Sequence, residues 1–402
     1  MRDNKLLNGM ILFTILLNVM LFFLMKATNL PWADFDGHWR ICAYTLRGVD
    51  AYQQIGVNPP IFEDIGIIPI GWGTSPWGML LGNLFYPGYM SFEIAGKYFF
   101  ILNIVILLIT ATIFYFKAAK ISQTLGIFAT VFFIFSASFG IPLTCGNAGG
   151  MICCLLLICC VCYEDFPILS GILLSIAMIK PQAALPICFA LLLQKRFKVL
   201  ITAAAIDLSA LLIVSILIQK APWTIINEFL HSNIGSGGQF AGIFQLAFEN
   251  TNTAMAASML AGLIFVYILH TILRRKNLGI FTMYPACIAS SFWCYSFFSE
   301  LYILLLPVLF CLNIMLQTKE RLKKFLWFTA ALYSQIALSF WVTIIIFFRQ
   351  NESLQPNLNV FQKVVEISFD HYAHTFFLIG VIIIGFLICI HCKSESRFNS
   401  KY

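Results

Sequence analysis

The stretch SGILLSIAMIKPQAALPICFALLLQKRFK, residues 170–198, carries the reading that decides the fold. Two apolar runs, 167–180 and 182–194, flank Lys180-Pro181, and the second ends in the basic cluster Lys195, Arg196 and Lys198. At 1.5 Å per residue, a run of about 14 residues reaches about 21 Å, short of a hydrocarbon core of about 30 Å. The pair therefore reads as broken membrane helices. The break must be buried in protein or line a wet cavity, because lipid cannot satisfy the backbone groups it frees. A lysine at that depth is costly and has two readings: its ammonium holds a phosphate in a cavity, or it snorkels to the interface.

Outward from this stretch, apolar runs recur along the whole chain. Hydrophobic residues make up 60% of the 402, charged residues 11%, and the mean hydropathy is +0.87. A soluble core does not need that much apolar surface, so the expected solvent is lipid. The pattern predicts an all-α, polytopic membrane protein of one integral membrane domain, 1–402. Its helices are expected at 6–26, 94–116, 121–142, 148–163, 167–180, 182–194, 199–218, 253–272, 279–298, 301–317, 325–348 and 374–391. The first run, Leu6 to Leu24, is too long for the core of a secretory signal and reads as a retained helix. With the amino terminus inside, Arg2 and Lys5, Lys117 and Lys120, Lys195 to Lys198, Arg274 to Lys276, Lys319 to Lys324, and Lys393 to Lys401 all fall on the inner side. These clusters hold most of the 25 basic residues, which explains the net charge of +7 as a topology signal rather than a nucleic-acid patch. Both termini are then expected in the cytoplasm.

This topology puts residues 27–93 in one long outer loop, rich in Trp, Tyr, Pro and Gly. Within it, Asp34 to Gly48 reads as an amphipathic helix lying on the membrane surface, with Phe35, Trp39, Cys42 and Leu46 at helical spacing and Gly48 as its stop. Asp34 and His38 share a face, while Asp36 points elsewhere with Arg40 one turn on. Asp34 is read either as a helix cap or as a catalytic carboxylate. The spacing Asp34-Phe35-Asp36 also matches two-aspartate metal sites, a weak signal over three residues. Arg40 and Arg47 are candidates to complete an anion site with Lys180.

Other candidates carry less. Of thirteen cysteines, Cys145, Cys153, Cys154, Cys159, Cys160 and Cys162 lie in or just before one apolar segment and read as small, soft hydrophobes. Asp207 lies within an apolar helix and needs a polar partner from a neighbouring one. Glu300 falls at an outer turn, where exposure is the simpler account. His231, His371 and His374 lie near the outer side without a metal-ligand spacing.

The run DFDGHWRICAYTLRGVDAY, 34–52, resembles the first outer loop of glycosyltransferase family 87, with Asp34, Phe35, Gly48, Asp50 and Tyr52 in that family's layout. CGNAGGM, 145–151, is similar to its Gly-Gln-x-Asn turn; the opening stretch is similar to its Gly-rich helix and Lys-Pro-Gln break; SSFWCYSFFSELYILLLPVLF, 290–310, is similar to a late aromatic region. The departures are Asn147 for glutamine, Gly149 for asparagine, Glu300 for histidine, and Thr74-Ser75-Pro76-Trp77 for a Tyr-Pro-Pro run.

What the resemblance implies is a GT-C-like membrane glycosyltransferase of a bacterial plasma membrane. It would move mannose or another sugar, with inversion, from a polyprenyl-phosphate donor to a glycan or glycolipid acceptor on the extracytoplasmic side. In that reading Asp34 is the general base, Lys180 and Arg40 bind the donor phosphate, and Asp36, His38, Asn147, Glu300 and Tyr302 bind substrate. No cofactor is expected, nor a nucleic-acid partner. The rivals are a secondary transporter, against which stands the lack of an internal repeat, and a lipid-linked glycan polymerase or ligase. The latter is disfavoured because residues 220–252 look like a loop of Gly, Ser and apolar residues.

Overall fold

The computed structural model describes residues 33–68, 74–134, 146–234, 251–273, 278, 281–290, 300–317, 383 and 387. Within these the helices are α1 Ala33–Leu46, α2 Phe92–Ala119, α3 Gln123–Ile134, α4 Gly149–Cys162, α5 Pro167–Ala177, α6 Pro181–Leu193, α7 Phe197–Leu217, α8 Pro222–Ile234, α9 Thr251–Leu273, α10 Tyr284–Ser290 and α11 Leu305–Gln317. Single turns at Ala51–Gln54, Gly78–Leu81, Gly82–Leu84 and Glu300–Leu304 link them. No strand occurs among the described residues.

Among the described residues three helices, α2, α7 and α9, are long and apolar enough to cross a membrane. On α2 the buried positions Phe99, Asn103, Leu107, Thr110, Phe114 and Ala118 recur every three or four residues, while Phe100, Ile101, Ile104, Leu108 and Phe116 face out. A helix that is apolar on both faces has lipid as its outer solvent, so this is a membrane protein. The expected helices at 6–26, 325–348 and 374–391 lie outside the described residues, apart from the single positions 383 and 387, so the described part carries fewer than the twelve expected.

At the centre stands α4, packed on α2, α5, α6 and the turn Glu300–Leu304. All fourteen of its residues are buried, including Cys153, Cys154, Cys159, Cys160 and Cys162. At about 21 Å it is shorter than a bilayer core, yet it is surrounded by protein, so the mismatch never meets lipid. The cysteines serve as small packing groups, as expected of a close helix–helix seam; Cys145 lies outside the described residues.

The break between α5 and α6 falls at Met178 to Lys180, with Pro181 opening α6. Its freed carbonyl is not left to lipid: the Met178 oxygen accepts from Trp77 Nε1 at 2.8 Å and from Ser75 Oγ at 3.2 Å. The segment 74–77, which departs from the family's usual run, thus closes the break. Along the same pair, Ser175 of α5 donates to Asp207 of α7 at 2.6 Å, giving Asp207 the cross-helix partner it requires.

Helix α1 forms where its spacing predicts, and Gly48 follows it at φ +76°, the left-handed conformation that ends a helix. Its environment differs from expectation. Phe35 packs against Tyr86, Phe92 and Phe99, Trp39 packs against Phe92, and Ile41 to Thr45 are buried. The apolar face is covered by the chain's own residues, so α1 docks into the protein rather than lying on a membrane surface. A second difference is α8, where the sequence reads as loop. Pro222 at its first turn, with Ile225 and Phe229 one turn apart, was the available signal. Lys220 just before it pairs with both Asp50 and Glu228, fastening the 27–93 loop to α8.

Candidate active site

Three segments far apart in the chain meet through one side chain. Asn147 Nδ2 donates to Asp34 Oδ2 at 2.7 Å, and Asn147 Oδ1 accepts from Lys180 Nζ at 2.9 Å. The same oxygen accepts the Gly149 N–H at 2.7 Å. The donors around Oδ1 and the carboxylate beside Nδ2 fix the orientation of the amide.

Each of the three stands at a helix start: Asp34 in the first turn of α1, Asn147 just before α4, and Lys180 as the N-cap of α6. Helix amino termini carry partial positive charge and unpaired N–H groups. Three of them around one point, with a buried lysine among them, favour an anion there. Lys180 is only 8% exposed, so its ammonium is held within the protein.

Burial raises the Asp34 carboxyl above the usual range, opposed by its Asn147 hydrogen bond and the Lys180 charge. A base so placed is stronger than a free carboxylate. His38, four residues on, stacks on Tyr86 with ring centroids 5.0 Å apart. Burial, and then the Lys180 charge, lowers it to about 3, so it is neutral near pH 7. Tyr86 closes this side: its hydroxyl accepts the Ala148 N–H at 2.7 Å and its ring stacks on Phe99. Nothing in the sequence sets Tyr86 apart from the other tyrosines.

The turn reaches α1 because of Gly146. It lies at φ +76°, and a Cβ there would sit 2.4 Å from Phe35 Cβ. Gly146→Ala is therefore expected to cost about 1–3 kcal/mol in backbone strain alone and to pull Asn147 from Asp34. Thermal unfolding of the purified variant measures this, and an unchanged midpoint would show that the close approach does not matter.

Several expected members of the site have partners of their own. Arg40 Nε donates to Asp36 at 2.8 Å and its Nη1 to the Ile65 carbonyl, so this pair holds the loop on a face of α1 away from Asp34. The two aspartates thus turn to different partners. Arg47 pairs with Asp64 at the surface. Tyr302 is buried and donates to the Phe133 carbonyl at 2.9 Å, a tie within the bundle. An aromatic helix start gave no hint of that distant carbonyl. His231 is exposed, its Nδ1 against the Asn227 carbonyl of its own helix. The Glu300 side chain, His371 and His374 lie outside the described residues.

No curated protein and no solved structure matches the chain. A family match does, over residues 78–294, just over half of the sequence; it includes Asn147 and Lys180 and stops short of Asp34. An anion-favouring site in a membrane protein, within a match of that extent, leads to one conclusion: the chain belongs to glycosyltransferase family 87.

Proposed function

We propose that this glycosyltransferase takes a sugar from a polyprenyl-phosphate donor and passes it, with inversion, to a glycan or glycolipid acceptor at the membrane's extracytoplasmic face. The observation that carries the reading is the Asn147 amide joining Asp34 to Lys180. It sets a proton acceptor and a cation on either side of one side chain, as a single displacement at a sugar phosphate requires. Asp34 takes the proton of the acceptor hydroxyl, the acceptor oxygen attacks the anomeric carbon, and the bond from that carbon to the phosphate oxygen breaks. The electron pair leaves with the polyprenyl phosphate, whose charge Lys180 meets together with the α4 and α6 amino termini. A phosphate leaves readily, so no protonated acid is needed. Asn147 has a further N–H to offer a substrate oxygen, and neutral His38 is placed to hydrogen-bond a sugar hydroxyl.

Sidedness is supported by how charge divides between the two ends of the bundle. Lys117–Asp165 and Arg196–Glu164 gather at one end, among the basic clusters expected in the cytoplasm, and Asp34, Asn147 and Lys180 lie at the other. The architecture proposed is GT-C-like, and no cofactor is proposed.

The test is transfer by the purified protein supplied with polyprenyl-phosphate sugars of defined anomeric configuration and candidate acceptors. The product linkage, read by NMR, is expected to have the opposite configuration to the donor. Retention would overturn the single displacement, and nucleotide sugars serving as well as lipid-linked ones would overturn the donor class.

A further inference from the structure

At the end of the bundle opposite Lys180 lies a cavity of about 580 Å³ between the α6–α7 turn, α9 and the start of α10. Helix α6, about 20 Å long, separates it from the Asp34 site. Lys195 and Arg196 enter it from the turn. Lys195 is held at φ +59°, a conformation unfavourable for a lysine, and among the described residues no hydrogen-bond or ion-pair partner meets its ammonium. Arg196 pairs with Glu164 and lies over the Tyr163 ring at 5.2 Å; its Nε is buried, and the edge of its guanidinium remains exposed. The other carboxylate of this end, Asp165, is taken by Lys117. An excess cation and the exposed edge of a guanidinium thus line one cavity.

The rest of the wall suits a particular class of anion. Thr271 and Thr282 present hydroxyls, and Leu273, Leu278 and Pro285 an apolar side. Tyr267, on the membrane-spanning α9, lines the cavity and is 55% exposed, as a ring at a membrane edge would be. We infer that this cavity binds a phosphate ester carrying hydroxyl groups, the chemistry of an anionic glycerophospholipid headgroup. The phosphate sits between the Lys195 ammonium and the exposed edge of the Arg196 guanidinium, and the headgroup hydroxyls meet the threonines. The site is independent of the glycosyl-transfer site and takes no part in it.

The test uses the full-length protein in detergent, with native mass spectrometry counting bound phosphatidylglycerol against phosphatidylcholine. The parent is expected to prefer phosphatidylglycerol, and Lys195→Asn to lose about fivefold of that preference. Asparagine keeps a residue tolerant of positive φ, and Lys198→Asn, outside the cavity lining, is expected to change nothing. Glycerol 3-phosphate added in excess separates the sources: no displacement assigns the site to lipid, and displacement assigns it to a soluble phosphate ester. A photoreactive phosphatidylglycerol is expected to label the parent within 193–196 and 267–273, a readout independent of how any variant folds. Equal preference in the parent and Lys195→Asn, or labelling elsewhere only, overturns the site.

Discussion

Asp34→Asn is expected to lower the transfer rate by about 10²–10⁴-fold, the range for loss of a positioned general base, while the donor still binds. The substitution is nearly isosteric, and its amide oxygen can accept the Asn147 N–H that Asp34 Oδ2 accepts at 2.7 Å. The fold and the Asn147 bridge are therefore kept. Removing a negative charge near a bound phosphate weakens no donor contact, so the loss should fall on turnover rather than on donor affinity. The pH dependence gives a second signature. Burial raises the Asp34 carboxyl, and the base must be ionised, so activity is absent below the raised value and complete above it. The acid limb of the parent should accordingly lie above that of an ordinary aspartate and vanish in the variant. Transfer within a few-fold of the parent would place the base elsewhere.

Local features were legible in the sequence where one residue type dictates local geometry. The end of α1 follows from Gly48, the break at Lys180 from Pro181, and the Asp36–Arg40 pair from a spacing of four. The site itself was legible only as separate parts. Asn147 lies 113 residues from Asp34 and 33 from Lys180, and what joins them is the burial of α4 among α2, α5 and α6, a tertiary outcome that no spacing expresses. The same limit applies to the partners of the other candidates. Arg40 had a carboxylate one turn away and the Ile65 carbonyl across the loop, contacts that engage its Nε and Nη1. Tyr302 found the Phe133 carbonyl at the end of α3, as a buried phenol must find some acceptor. Helix α8 is hard to see in the sequence because the Gly and Ser of residues 235–252 obscure the Pro222 start signal before them. The docking of α1 was hidden for a related reason: an amphipathic face reads alike whether protein or lipid covers it.

Lys180→Met is expected to weaken donor binding and to lower kcat/KM by about 10²–10³-fold, the loss found when one group that stabilises developing anionic charge is removed. Methionine keeps the apolar stem in a position only 8% exposed. Asn147 Oδ1 retains the Gly149 N–H at 2.7 Å, so the turn before α4 survives without the ammonium. The variant also tests whether lysine and aspartate act as one site. The Lys180 charge lowers the Asp34 carboxyl against the raising effect of burial. Without it the carboxyl rises further, and the acid limb of the rate profile should move to higher pH than in the parent. A lysine that merely packs the break would affect stability and leave that limb where it was. Donor titration and a pH profile on the same preparation separate the two roles: unchanged donor affinity with an unmoved limb would remove Lys180 from the phosphate site, whatever the melting temperature shows.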